Sequence, residues 1–211
     1  TKIELALDGD KRQRKVRSSN AGHALFSGIA KPEYASQVAK TLLADNSFSG
    51  WGVRTIADSE ARYNPMSYHN GTVWPHDNAL IAMGLASNGF KEETLQIMEG
   101  LFNASLFLDL SRMPELFCGF IKRPGQGPTL YPVACAPQAW ASSTVFALIQ
   151  AILGLSFSGG DKPQIILTHP LLPQYLDWVE IKNLTVGEAN VDLLLHRRDD
   201  DVGINILRRE G

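Results

Sequence analysis

Only two cysteines, Cys118 and Cys135, occur in 211 residues, and no C-x-x-C pair is present. Two thiols build no disulfide framework, which excludes a small disulfide-stapled scaffold and favours buried thiols in a reducing compartment; a single bridge stays open. An excess of one charge is also missing. Lys+Arg is 20 and Asp+Glu is 22, for a net charge of −2, and the pI is about 6.2. That balance argues against a nucleic-acid partner and against a polybasic membrane surface. The one dense basic run, Lys11-Arg12-Gln13-Arg14-Lys15-Val16-Arg17, reads as a phosphate patch or, more often for so short a run, as a solvated turn or strand edge. No charged-then-apolar leader opens the chain, so a cytoplasmic location is expected. The first residue is Thr1, and the expectation is a processed start or a piece of something longer.

Long hydrophobic runs are scarce as well. Residues 139–157 lack charge and would reach across a bilayer, but Ser142, Ser143, Thr144, Gln150 and Gly154 interrupt them. They read as a helix buried on most of its sides, with no membrane partner. Phosphate-binding loops are missing: Pro124-Gly125-Gln126-Gly127-Pro128 is rich in proline and has no Lys-Ser/Thr ending. No serine nucleophile elbow occurs. Nothing calls for a cofactor. Hydrophobic residues at 44% and charged residues at 20% are those of an ordinary globular protein, and exclude a disordered chain, a collagen repeat and a coiled coil.

What is present reads as mainly α. Residues 1–19 look extended, with Ile3-Glu4-Leu5-Ala6-Leu7 alternating ahead of an Asp8-Gly9-Asp10 turn. Pro32 and Glu33 open a helix running to about Ala44, its apolar face Ala35, Val38 and Leu42. A second helix starts near Pro75, is apolar on nearly every face, and ends at Asn88-Gly89. A third, from Glu92 to about Leu108, carries a stripe of Leu95, Met98, Leu101, Phe102, Ser105 and Leu106. A buried helix followed by one with a wet face suits two helical layers. Long aromatic loops, about 45–74 and 109–137, separate the helices and are expected to be ordered. Ser156 to Pro163 reads as a linker. Beyond it the period becomes two, and Val191, Leu193 and Leu195 form a hairpin with Val202, Ile204 and Ile206 across Arg198-Asp199-Asp200-Asp201.

The loops carry the candidate chemistry. From Tyr63 to Asn78 planar polar groups and aromatic rings alternate, including Tyr68, His69, Asn70, Trp74, His76 and Asp77. Trp51-Gly52-Val53-Arg54 upstream and Gln138-Ala139-Trp140 downstream share that character. Sugars need this mixture: rings stack on the C–H face while Asn, His, Asp and Gln pair with adjacent hydroxyls. Each residue also has a plainer reading. Trp51 and Trp74 serve equally as core residues, and Asp77 or Asn78 as caps for the first turn of a helix. His69, His76 and Asp77 form a conceivable ligand set, but their spacing matches no common zinc signature, so no metal is expected. Glu115 is a lone carboxylate in the apolar Met113-Pro114-Glu115-Leu116-Phe117-Cys118-Gly119. A carboxylate so placed suits a general base for water, and equally a buried, bonded structural Glu.

Ser19-Asn20-Ala21-Gly22-His23, Phe48-Ser49-Gly50-Trp51-Gly52-Val53-Arg54-Thr55, the string from Tyr63 to Asn78, Pro114-Glu115-Leu116-Phe117 and Ala136-Pro137-Gln138-Ala139-Trp140 occur in that order. Together they resemble the catalytic region of bacterial amylo-α-1,6-glucosidases, the glycogen-debranching-like glycoside hydrolases. The resemblance implies part of an (α/α)6 toroid, a sugar funnel, and inverting hydrolysis of α-glucosidic linkages. In that chemistry an acid protonates the glycosidic oxygen and a base about 6.5–9.5 Å away activates water. It further implies that Glu115 is the general base and that Trp51, Tyr68, His69, Asn70, Trp74, Gln138 and Trp140 contact sugar.

The chain departs from the family in length. Twelve helices of about 11–12 residues do not fit into the roughly 158 residues before the linker. The family's general acid sits in a Trp-Lys-Asp-type motif that does not occur here, and Asp8 matches a different segment. The expectation is therefore residues 1–158 as the C-terminal half of the helical domain and 164–211 as a small β module. The partners expected are an α-glucan or oligosaccharide, and either an N-terminal part of the same protein or a second copy. Pairing would cover apolar faces of Leu80, Leu85 and the 139–157 helix. The alternative function is a non-catalytic carbohydrate-binding or regulatory module that keeps the sugar loops.

Overall fold

The computed structural model describes residues 6–160, 162–199 and 201–211. Ile3, Glu4 and Leu5 of the extended start, Asp161 of the expected linker and Asp200 of the expected turn lie outside them. Two compact units divide the chain, one ending at Leu148 and one spanning Ile149–Gly211. Among the described residues there are five α-helices and three small antiparallel sheets, so the architecture is mainly α with β structure toward the C-terminus.

The first unit begins with a two-residue pairing, β1 (Ala6–Leu7) on β2 (Gln13–Arg14). The basic run lies here on an exposed hairpin, with Arg14 paired to Asp8 at 2.9 Å. Asp8 also accepts from the Asp10 and Arg12 backbone N–H groups, so its carboxylate is committed to its own turn. Helix α1 (Asn20–Phe26) has no counterpart in the apolar periodicity, because its seven residues are shorter than the window in which a helical stripe shows. Helix α2 (Pro32–Leu42) buries Ala35, Val38, Ala39 and Leu42, one face at three- and four-residue spacing. Helix α3 (Pro75–Ser87) starts at a proline, with Trp74 held extended before it, and is followed by Gly89 at φ 84°. It is buried along most of its length, including Leu85, while Leu80 is only half-buried. Leu85 thus belongs to the core and not to an uncovered pairing face, and it adds about 1.5–3 kcal/mol there.

Helices α1 and α3 touch through glycine. A Cβ on Gly22 would sit 2.6 Å from Ile81 Cγ1, and one on Gly84 would sit 2.6 Å from the Phe26 nitrogen. This close approach sets His23 of α1 against Asp77 of α3. Helix α4 (Lys91–Ser105) buries Thr94, Ile97, Gly100, Leu101 and Ala104. Phe102 and Leu106, expected on the buried stripe, are instead exposed. Gly100 explains the rotation: the Trp51 carbonyl lies 2.7 Å from where its Cβ would stand, so the 45–74 loop packs on that side.

The two long loops are ordered by a narrow ladder. Arg54 bridges to Val73, Val73 to Phe117, and Phe117 to Leu130, all antiparallel. Val53, Val73 and Phe117 are fully buried in it. Asn78 ties α3 to this ladder: its Oδ1 accepts from Val53 N–H at 2.7 Å and its amide donates to Val53 O at 3.1 Å. Helix α5 (Ala139–Leu153) closes the helical series, followed by Gly154 at φ 60°. It is not buried on most sides as expected. Trp140, Val145 and Phe146 are exposed, Phe146 by 76%. Among the described residues no helix is long and apolar enough to cross a membrane.

In the second unit the expected linker is a hairpin. Strand β3 (Leu155–Ser158) pairs with β4 (Gln164–Leu167), because Phe157 and Leu155 meet Ile165 and Leu167 across it. Strands β5 (Trp178–Val186), β6 (Ala189–Arg197) and β7 (Val202–Glu210) form an antiparallel meander. The expected hairpin is its second half, with Leu195 opposite Ile204 and Leu193 opposite Ile206.

Candidate active site

The ladder presents Glu115 two residues before Phe117, and a clamp then holds its carboxylate. The Glu115 N–H donates to the Cys135 carbonyl at 2.8 Å, and the Cys135 N–H donates back to Glu115 Oε2 at 3.3 Å. The Tyr68 hydroxyl donates to the other oxygen, Oε1. This hydrogen bond, helped by burial, pushes the Tyr68 phenol up to about 12, so Tyr68 remains a donor throughout the neutral range. Both carboxylate oxygens are oriented and each keeps a lone pair free. Tyr68→Phe is therefore expected to keep the fold while freeing one oxygen of the Glu115 carboxylate from its donor. Thermal unfolding and a crystal structure of the variant check it.

Tyr68 is itself packed by rings. His69, Trp74 and Tyr131 meet it edge-on, with centroids at 4.7, 4.8 and 5.7 Å. Trp74 Nε1–H donates to Thr72 Oγ1 at 3.0 Å and its plane runs parallel to His69. His76 meets Trp74 edge-on at 5.5 Å and stacks on Trp140 at 4.0 Å, with planes 16° apart. Trp140 is 59% exposed, so its ring shows solvent much of its surface beside a packed imidazole. A tryptophan presented in this way suits the C–H face of a pyranose.

Asp77, only 9% exposed, meets His23 through Oδ1. Hydrogen bonding to Asp77 raises the His23 pKa above 6.5. The stability this pair contributes is complete below about 6.5 and is lost as pH rises through the higher folded value. Burial, by contrast, lowers His76. Among the described residues, three buried polar atoms in this region lack a hydrogen-bond partner: His76 Nδ1, Asp77 Oδ2 and Gln138 Oε1.

Other expected site residues lie elsewhere. Trp51 and Arg54 are each 2% exposed. Trp51 packs edge-on against Phe107 at 6.2 Å beneath the Lys122 ammonium at 4.8 Å. The Arg54 guanidinium donates to the carbonyls of Gly119 (2.7 Å) and Asp45 (3.2 Å), fastening the ladder. Asn70 is half-buried and closes a turn, its carbonyl accepting from Asn64 N–H at 2.8 Å. His23 was not expected from the residue pattern; its only signal was its place in the Ser19–His23 string. A cavity of 520 Å³ is lined by Pro114 and Leu116, the neighbours of Glu115, and by Phe107, Arg112, Tyr131 and Pro137. Among the described residues no group of three or more His, Cys, Asp or Glu side chains is placed to hold a metal ion.

Compared with known proteins, residues 4–110 match the family model for the mannosylglycerate hydrolase MGH1-like glycoside hydrolase domain. The match takes in His23, Tyr68, Trp74 and Asp77 and ends ahead of Glu115, Gln138 and Trp140. No curated protein matches the chain. With residues 4–110 covered, more than half of its length, the chain belongs to the MGH1-like glycoside hydrolase domain family.

Proposed function

We propose that this chain carries the general-base half of an inverting glycosidase of the debranching type, acting on α-glucosidic linkages. The observation that supports it best is the clamped Glu115 beside an exposed tryptophan on a ring-lined wall. A carboxylate held at both oxygens but open on one lone pair of each is poised to take a proton from water. Tyr68 and Cys135 fix its direction, while Trp74, His76 and Trp140 receive the sugar. The 520 Å³ cavity adds room next to Tyr131. The general acid, absent as a Trp-Lys-Asp motif, then comes from another part of the enzyme or a second copy, docking where Val145 and Phe146 are exposed. Free Cys118 and Cys135 suit a cytoplasmic site of action.

The family description, which names mannosylglycerate hydrolase, favours a second substrate, a mannosyl glycoside. Calorimetry of the chain with isomaltotriose, maltotriose and methyl α-mannoside separates these. Trp140→Ala is expected to weaken the preferred sugar by about 1–3 kcal/mol, five- to 150-fold, the scale of one aromatic contact. Unchanged affinity in that variant removes Trp140 from the site.

A further inference from the structure

Behind the aromatic wall lies a charged pair that the hydrolysis itself does not use. Asp77 is nine-tenths buried, with one oxygen on His23 and the other without a partner. A buried carboxylate half-satisfied in this way is stable only when a cation meets it. His23 supplies that cation from α1, and the glycine contact of Gly22 and Gly84 keeps the two helices close enough for it to do so. The next residue back, His76, stacks on Trp140.

We propose that His23 is a positioning residue of the sugar site: it cancels the Asp77 charge behind His76, so that His76 stays an uncharged ring against Trp140 and the substrate meets Glu115 as the anion. The role rests on the carbohydrate reading given above. Three charged groups act on His76 among the described residues: Asp77 on its own helix, His23 on α1, and Glu115 on the ladder, itself bonded to Tyr68. Asp77 and Glu115 favour the imidazolium, whereas His23 and burial oppose it. Without the His23 cation, both remaining charges pull a proton onto His76. An imidazolium at that place attracts Glu115 and competes for the carboxylate that must activate water.

The test is an NMR titration of the chain's 5 histidines, with His23 and His76 assigned by substitution. In the wild type His23 should titrate above 6.5 and His76 below it. His23→Gln should raise the His76 midpoint, and adding Asp77→Asn should bring it back down. Asp77→Asn alone, which keeps the shape of the pair, should lower His23 and leave His76 low. A His76 midpoint unmoved by His23→Gln overturns the proposal, as does one raised equally in the double variant, which would trace the change to lost packing. Isomaltotriose and methyl α-mannoside are then added. The pH at which affinity declines in His23→Gln should follow the new His76 midpoint. If neither sugar moves the Trp74 and Trp140 indole resonances, the carbohydrate reading falls and the site role with it, whatever the histidines show. If the indoles move but affinity ignores His76, the carbohydrate reading stands and this inference falls.

Discussion

Glu115→Gln in the acid-complemented enzyme is expected to reduce kcat by about a thousandfold, roughly 4 kcal/mol of barrier, while sugar affinity stays within a factor of two or so. The amide keeps the size of the side chain and its oxygen still accepts the Tyr68 hydroxyl, so the neighbouring rings are preserved, while its NH2 gives up the hydrogen bond from the Cys135 N–H. What it loses is the basic lone pair that removes the proton from water. A fall in kcat without a rise in KM is the signature of an interaction made only in the transition state. If affinity falls along with turnover, Glu115 holds the sugar instead. If both stay near wild type, Glu115 is structural.

Arg54→Met should cost about 3–5 kcal/mol of stability, the scale of opening a buried charged network. The aliphatic stem is roughly retained, but the Gly119 and Asp45 carbonyls lose their donor, and the ladder loses the fastening that runs from Arg54 to Gly119. Gly119 has no slack to compensate, because a Cβ there would already collide with the Gly71 carbonyl. Urea denaturation of the variant checks the figure. Because the guanidinium is buried, the sugar affinity of whatever folded fraction remains should be unchanged. A stable variant with tenfold weaker binding would instead place Arg54 among the sugar contacts, as the residue pattern first implied.

Arg54 and Trp51 show where reading from sequence runs out. Aromatic and planar polar residues are what a sugar site and a buried loop scaffold both need, and composition alone does not separate them. The structure divides them by burial: Trp51 and Arg54 build the ladder, while Tyr68, Trp74, His76 and Trp140 touch one another along a partly open wall. The periodic helices α2 and α3 were legible because one face or all faces must be apolar. Helix α1 was not, being too short and broken by Gly22, and His23 was lost with it as a site residue. The face of α4 was misplaced because its buried side is set by a backbone carbonyl approaching Gly100, a contact with no local signal. The linker-like stretch has the Gly159-Gly160 of a flexible joint, yet the apolar residues flanking it pair as strands. Glu115 was legible as a lone carboxylate in an apolar segment. Its partners were not, since Tyr68 and Cys135 lie 47 and 20 residues away in the chain.

Glycosyl fluorides reach the central claim most directly, because fluoride leaves without protonation and no general acid is needed. The chain is incubated with α-glucosyl fluoride, and in parallel with α-mannosyl fluoride, and the released sugar is followed by NMR. The account predicts release above the spontaneous rate from at least one of them, with the β-anomer formed first and the excess abolished in Glu115→Gln. Release at the spontaneous rate, release that ignores Glu115→Gln, or an α-anomer as first product would contradict it.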